Sequence, residues 1–117
     1  MEVITASARG TVFALRVKLA DGYFARLRGL MFSKSLGDGE GLLLKPCRQI
    51  HTFFMRFEID AVFISESGEI LEIIKSIRGG RVTPYVKASR MVLELKGGAA
   101  EKTGLKPSDK IVFSKKV

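Results

Sequence analysis

The chain has 117 residues, of which 46% are hydrophobic and 27% are charged, and its net charge is +8. This length fits one compact domain, and this composition excludes a disordered segment and a fibrous repeat. No apolar stretch approaches the ~20 residues that a membrane span needs, and the N-terminal residues lack the apolar centre of a signal peptide. We therefore expect a single domain over residues 1–117 that is soluble and cytoplasmic.

The N-terminal third of the chain predicts a strand, a short helix and a loop. Residues 11–19 alternate between apolar and other side chains, as a half-buried strand does. After the break at Asp21 and Gly22, apolar side chains recur at helical spacing, at Phe24, Leu27, Leu30 and Met31. Residues 33–41 contain three glycines and no periodicity, so they predict a loop.

Strand signals dominate the rest of the chain. They begin at residues 42–44, continue through 50–55 and 59–65, and resume after a hairpin turn at 66–68 with residues 70–77, where a change of phase predicts a β-bulge near Ile73. Residues 90–95 and 110–114 predict further strands, and residues 97–104 predict a helical turn or two. We expect a mainly β (α+β) fold, with a small antiparallel sheet curled into a barrel or sandwich and two short helices.

Two acidic residues, Asp60 and Glu94, interrupt strands that are otherwise apolar. A buried carboxylate is costly unless it is paired, so each of them needs a cation or hydrogen-bond donors. A guanidinium group grips a carboxylate well, and the candidate partners are Arg26, Arg28, Arg48 and Arg56. Such a pair either locks the helix onto the sheet or opens onto a pocket and holds an anionic ligand.

Cys47 is the only cysteine and His51 the only histidine. A single cysteine excludes an internal disulfide and a multi-cysteine metal cluster, and no spacing matches a zinc or iron motif, so we predict no metal and no cofactor. For Cys47 to act as a nucleophile and His51 as its base, the two side chains would have to meet. Along a strand, however, residues four apart lie about 13 Å apart. A buried structural thiol and a hydrogen-bonded structural imidazole are the competing interpretations.

Positive charge is concentrated in residues 75–90, which contain five basic residues and no acidic one. The basic residues are Lys75, Arg78, Arg81, Lys87 and Arg90, and a basic C-terminal end adds Lys106, Lys110, Lys115 and Lys116. Such a surface attracts phosphate backbones or acidic partners. The alternative is a charge excess that only keeps the protein in solution.

Several segments in order resemble the family known as domain of unknown function 192. They are ARLRGLM at residues 25–31, IHTFFM at 50–55 running into IDAVFI at 59–64, and VLEL at 92–95 followed by Gly97 or Gly98 and by Asp109. The family usually has Gly-Asp where this chain has Ser108 and Asp109. The resemblance implies a compact β-rich fold with short helices and supplies no activity. Its pattern falls on Arg28, Gly29, Met31, His51, Met55, Asp60 and Glu94.

These residues predict a binding domain that recognises a small or anionic partner through a cleft, in which His51, Arg28 and Asp60 are drawn together. One alternative is a hydrolase-type enzyme with His51 as the general base, oriented by Asp60 and acting on a water or on Cys47. Another is nonspecific nucleic-acid binding through residues 75–90. Oligomeric state is open at this point.

Overall fold

The computed structural model describes residues 2–115, and a curled sheet of seven strands dominates it. Two short helices accompany the sheet. In chain order the elements are β1 (Val3–Ala8), β2 (Thr11–Ala20), α1 (Tyr23–Arg28), β3 (Glu40–Leu44), β4 (Ile59–Ile64), β5 (Ile70–Ile77), β6 (Met91–Lys96), α2 (Ala99–Lys102) and β7 (Ile111–Lys115). Lys116, predicted as part of a basic end, lies outside the described residues. Neither α1 nor α2 is long or apolar enough to cross a membrane.

The strands form one sheet in the order β5-β4-β6-β3-β2-β1-β7, and every neighbouring pair except the parallel pair β2–β3 is antiparallel. The two edges of the sheet meet at one end, where Ile70 N–H donates to the Asp109 carbonyl and Ile111 N–H donates to the Gly68 carbonyl, both at 2.8 Å. Gly68 is required there, because a Cβ would lie 2.7 Å from the Ile111 carbonyl oxygen. The predicted mainly β fold with a curled sheet and two short helices is confirmed.

Each face of the sheet has its own apolar core. One core lies between the central strands and the elements β1, β7 and α2, on the side of the sheet that we call the barrel face. It includes Val62, Leu93 and Leu95. On the opposite face, here called the loop face, the core is covered by α1 and by the loops of residues 45–57 and 78–90. It contains Ala20, Leu30, Leu42, Leu44, Ile50, Met55, Ile59, Ala61, Phe63, Ile77 and Val92.

The pairing of β4 with β6 separates the two interior acids. Asp60 lies opposite Leu95, and Ala61 lies opposite Glu94. Residues directly opposite each other share a face, and consecutive residues of a strand point to different faces. Asp60 therefore points to the barrel face, and Glu94 points to the loop face.

Asp60 is satisfied by backbone donors and not by an arginine, so the predicted guanidinium partner is wrong for this residue. One carboxylate oxygen accepts from Ser76 N–H at 2.8 Å, and the other accepts from Gly98 N–H at 3.1 Å and Ala100 N–H at 2.9 Å. The side chain thus ties the end of β5 and the start of α2 to β4. Asp60 is a structural anchor on the barrel face.

Residues 50–55 were predicted to form a strand, and this prediction is wrong. Only an isolated bridge joins His51 to Val82, and Phe54 adopts a left-handed conformation at φ 62° that turns the chain. Thr52 fixes this turn, because its N–H donates to the Arg81 carbonyl at 2.8 Å and its hydroxyl accepts from Arg81 N–H at 2.9 Å. Alternating residues with bulky side chains resemble a strand in sequence even where they lie in a tightly bonded loop.

Two further differences concern the strands themselves. β1 has no counterpart among the predicted strands. In place of the single bulge predicted near Ile73, β5 has two register shifts that flank this residue, one between Ile70 and Glu72 and one between Ile74 and Ile77, where Ser76 adopts φ 53°. The displaced Ser76 N–H is the one that donates to Asp60, so the bulge serves that anchor.

We predict that Asp60→Ala lowers the free energy of unfolding by about 3 kcal/mol, because it leaves three backbone N–H groups, one buried and two partly buried, without their acceptor. Urea denaturation measures this loss. Asp38→Ala is the matched control, since its carboxylate is 70% exposed and contacts only Lys96 and Lys102. The control should lose less than about 1 kcal/mol, and equal losses in the two variants would contradict the assigned role of Asp60.

Candidate functional site

A cavity of about 420 Å³ opens on the loop face, between α1 and residues 45–51. Ligand pockets commonly have volumes of about 300 to 1,000 Å³, so the cavity is large enough for a small molecule. Its walls combine aromatic, basic and thiol side chains with one carboxyl group. The lining residues are Tyr23, Arg26, Leu27, Arg28, Gly29, Leu44, Pro46, Cys47, Arg48, Gln49, Ile50, His51, Tyr85 and Glu94.

Glu94 forms the floor of this cavity. It projects from the central strand β6, is only 1% exposed, and its Oε1 has no hydrogen-bond partner. Gly29 lies directly beside it: a Cβ on Gly29 would be 3.7 Å from Oε1. Burial raises the pKa of Glu94 from 4.5 to about 8, so at pH 7 its carboxyl group is mostly protonated and can donate a hydrogen bond.

Arg26 also lines the cavity, and its hydrogen-bond donors are only partly satisfied. Its Nη1 donates to the Pro46 carbonyl at 3.0 Å, which ties α1 to residues 45–51, but its buried Nε has no partner. None of the ion pairs among residues 2–115 includes Glu94. The predicted arginine partner is therefore wrong for Glu94 as well, and two buried polar atoms in one cavity lack partners.

The electrostatic character of the cavity is positive. Arg26, Arg28 and Arg48 all line it, against the single carboxyl group of Glu94. Arg48 is oriented by its Nε, which donates to the Lys87 carbonyl at 3.0 Å, while Arg28 is exposed at the end of α1. Because Glu94 is mostly neutral at pH 7, these guanidinium groups are not compensated within the cavity and favour an anion.

His51 uses both of its ring nitrogens for local hydrogen bonds. Nδ1 accepts from Phe53 N–H at 3.1 Å, which leaves the proton on Nε2 to donate to the Leu27 carbonyl at 3.1 Å. The imidazole therefore fastens the turn of residues 51–54 to α1. Neither nitrogen bonds to Asp60 or Cys47, so the pairing on which the hydrolase alternative depends is not formed.

Cys47 lies in the cavity wall with its thiol half-buried. Burial raises the pKa of this thiol and the nearby Glu94 raises it further, although the Gln49 backbone and Arg26 act in the opposite direction. Sγ donates to the Gln49 carbonyl at 3.3 Å. Since the thiolate is the nucleophilic form, a raised pKa makes Cys47 a poor nucleophile at neutral pH.

The structure places some of the predicted site residues together and separates others. Arg28, Gly29, His51 and Glu94 line the cavity. Met55 is buried in the loop-face core, Met31 is half-buried outside the cavity, and Asp60 points to the other face of the sheet.

Several cavity residues lay outside the predicted site. From the sequence, Arg26 and Arg48 were predicted only as carboxylate partners, and Cys47 as a nucleophile or a buried structural thiol. Arg26 lies in α1, within a segment that carries the family resemblance, and this is the signal that could have identified it; Cys47 and Arg48 reach the cavity through the loop after β3. Nothing in the sequence singled out Tyr23 or Tyr85. No group of three or more His, Cys, Asp or Glu side chains within residues 2–115 is arranged to hold a metal ion.

Comparison with known proteins places the chain in a family. Residues 4–113 match the sequence profile of DUF192, described as "Uncharacterized ACR". The chain belongs to this family. The DUF192 chain is 29% identical over 107 residues to the UPF0127 protein of Thermococcus sibiricus, a match that covers 88% of this chain and 69% of that protein. It is 28% identical over 96 residues to a UPF0127 protein of Thermococcus kodakarensis, covering 79% of this chain and 60% of that protein.

Solved structures share the DUF192 architecture. A protein of unknown function from Novosphingobium aromaticivorans superposes with a TM-score of 0.83 at 25% identity, covering 94% of this chain and 83% of the other. A proposed transcription regulator from Sinorhizobium meliloti superposes with a TM-score of 0.81 at 22% identity, covering 96% of this chain and 92% of the other. The second likeness is one of fold alone.

The raised pKa of Glu94 predicts a pH-dependent stability. The folded-state pKa of about 8 exceeds the ordinary value of 4.5, so the folded protein binds this proton more tightly than the unfolded chain does. The stability linked to Glu94 is fully present below pH 4.5 and is lost as the pH rises through about 8. The glutamine side chain of Glu94→Gln is neutral at every pH, so the stability of this variant should not show this loss.

Urea denaturation of both proteins across this pH range measures the effect. The stability of the parent protein should fall relative to that of Glu94→Gln, by at most about 1.4 kcal/mol for each pH unit. Parallel pH profiles for the two proteins would contradict the assigned protonation of Glu94.

Proposed function

We propose that the protein binds a small anionic molecule in the cavity above Glu94. The observation that carries this proposal is the pair of buried atoms without partners, Glu94 Oε1 and Arg26 Nε, which belong to side chains lining one cavity. A buried polar atom without a partner costs about 1–3 kcal/mol, and a ligand that supplies the partner recovers this cost. A cavity with such groups is prepared for a ligand that is itself polar.

The donor set favours an anion over a cation. Arg26 Nε–H is a donor at all accessible pH values, and protonated Glu94 is a donor at neutral pH. Carboxylate and phosphate oxygens are acceptors that match both of these donors. Arg28 and Arg48 add positive charge to the same walls.

Binding is favoured over hydrolysis as the role of this cavity. General-base catalysis needs a nitrogen of His51 that is free to take a proton, and both nitrogens already have backbone partners. Cys47 is held as a thiol by burial. The residues that line the cavity are suited to recognising a ligand without transforming it.

We predict that acetate and inorganic phosphate both bind in the cavity and shift the amide resonances of Gly29 and His51 in NMR titrations. Arg28→Ala should weaken both anions about tenfold, because it removes a charge-assisted hydrogen-bond donor. Arg16→Ala is the matched control, since Arg16 is exposed on β2, outside the cavity. If neither anion binds, or if the two variants weaken binding equally, the proposal fails.

A second candidate function, nonspecific nucleic-acid binding, is supported by a separate groove. Lys75, Arg78 and Arg81 line an open depression between the end of β5 and residues 81–84, and no acidic side chain lines it. The Thr52 hydroxyl donates to the Arg78 carbonyl and accepts from Arg81 N–H at 2.9 Å, which fixes the backbone that carries these charges. Three positive charges on one groove suit a phosphate backbone.

For this second candidate, we predict that a short single-stranded DNA binds at low salt and that its affinity falls steeply as salt rises, with a slope of about −0.7 for each phosphate contacted. Arg81→Ala should reduce the slope by one contact, whereas the control Lys18→Ala, which removes an exposed lysine of β2 outside this groove, should leave the slope unchanged. Fluorescence anisotropy measures both effects. Absence of binding at low salt would remove this candidate.

A further inference from the structure

An exposed apolar surface adjoins the cavity. We call it the aromatic patch, and its members are Phe24 (79% exposed), Leu27 (52%), Phe32 (56%), Phe53 (44%) and Phe54 (65%). Two stacked pairs order its rings, since His51 stacks on Phe53 at 5.0 Å and Phe54 stacks on Phe32 at 5.3 Å, and His51 Nε2 donates to the Leu27 backbone carbonyl. Contiguous exposed apolar groups of this kind commonly mark a binding surface.

The backbone maintains this patch against a conformational cost. Phe32 and Phe54 have φ angles of 64° and 62°, in the left-handed region that bulky side chains rarely adopt. Phe32 N–H donates to the Phe54 carbonyl at 3.2 Å, so the two strained residues hold each other in place. Strain of this kind persists where the surrounding structure enforces it, and it concentrates at functional sites.

The aromatic patch continues into the charged cavity. Leu27 belongs to both, and the exposed rings of Tyr23 and Tyr85 also line the cavity. Any part of a bound ligand that extends out of the cavity, away from Glu94 and Arg26, would therefore lie on an apolar surface. A purely polar anion would leave that surface unused.

We propose that the ligand is a free amphipathic carboxylate, whose carboxylate group enters the cavity and whose alkyl or aryl tail lies on the aromatic patch. This inference rests on the proposed function and specifies the class of anion. The head of the ligand meets the donors of Arg26 and Glu94. The tail covers Leu27 and then the phenylalanine rings.

Charge favours this occupant over a second copy of the chain. Residues 22–37 and 45–57, which build the patch and the cavity wall, contain six basic residues and no acidic one: Arg26, Arg28, Lys34, Lys45, Arg48 and Arg56. A second copy docked on the same patch would bring these like charges together. An acid with an apolar tail complements both the charge and the apolar surface.

Burial favours a free molecule over a membrane surface. Glu94 is 1% exposed at the floor of the cavity, so the headgroups of an intact bilayer cannot reach it. A free carboxylate is small enough to occupy the cavity of about 420 Å³.

The test is a titration with the series acetate, butanoate, hexanoate and octanoate, followed by isothermal calorimetry below the concentrations at which these acids aggregate. Affinity should rise by about two- to fourfold for each added methylene, as expected when each methylene leaves water. Phe54→Ser and, separately, Phe24→Ser should flatten this rise while leaving acetate affinity unchanged. The control Leu15→Ser/Val112→Ser replaces exposed apolar residues of β2 and β7 and should keep the full rise.

The outcomes separate this inference from the proposed function. Equal affinity for acetate and octanoate overturns the amphipathic ligand but leaves anion binding intact, whereas failure of every acid to bind overturns both. A rise that the control variant also loses shows nonspecific association and overturns the inference. Two other outcomes of Phe54→Ser would also overturn the inference, and in both of them octanoate binding is unaffected. In the first the variant loses only its sedimentation with vesicles of phosphatidylcholine and phosphatidylglycerol, and in the second it loses only self-association.

Discussion

The burial of Glu94 on the central strand is the constraint on which this account depends. A carboxyl group removed from water needs a partner or a proton, and within the described structure it has no cation beside it. The protein keeps it protonated, in a strand whose other residues form an apolar core. A leucine would pack there without this cost, and this is why we propose that the carboxyl group of Glu94 meets the ligand that enters the cavity.

Asp60 is also a buried carboxylate, and it precedes Ala61, the residue of β4 that lies opposite Glu94. Its burial is compensated in a different way. Three backbone N–H groups satisfy it, and it becomes an anchor for β5 and α2. The contrast follows from the sheet: the barrel face is closed by regular elements whose backbone can supply donors, and the loop face is closed by irregular segments. Those segments leave space, and the cavity and the aromatic patch lie in that space.

Much of the fold could be predicted from the sequence, because alternation and turn residues are local signals. β2, β4 and β6 follow directly from their side-chain patterns, and α1 follows from its apolar spacing. The turn at residues 51–54 could not be predicted, since it depends on bonds between Thr52 and residues 78–81, which are distant in the chain. The pattern of IHTFFM at residues 50–55 resembles that of a strand, although Phe53 and Phe54 lie exposed on the surface of a turn.

The candidate site was predictable only in part, for a similar reason. A polar residue in an apolar strand marks a burial problem, and this signal identified Asp60 and Glu94 equally. Which face each acid occupies is set by the pairing register of β4 with β6, and the sequence alone does not contain that register. Cys47 and Arg48 join the cavity through the path of the loop after β3, whereas Arg26, Arg28, Gly29 and His51 belong to segments that carry the family resemblance.

The most direct test is the side-chain carboxyl carbon resonance of Glu94, followed by NMR in carbon-13-labelled protein while octanoate is added at neutral pH. The account predicts that this resonance moves with saturation of the site while that of Asp60, buried on the other face, stays in place. If the Glu94 resonance is unchanged when octanoate is bound, or if the two resonances move together, the cavity above Glu94 is not the binding site.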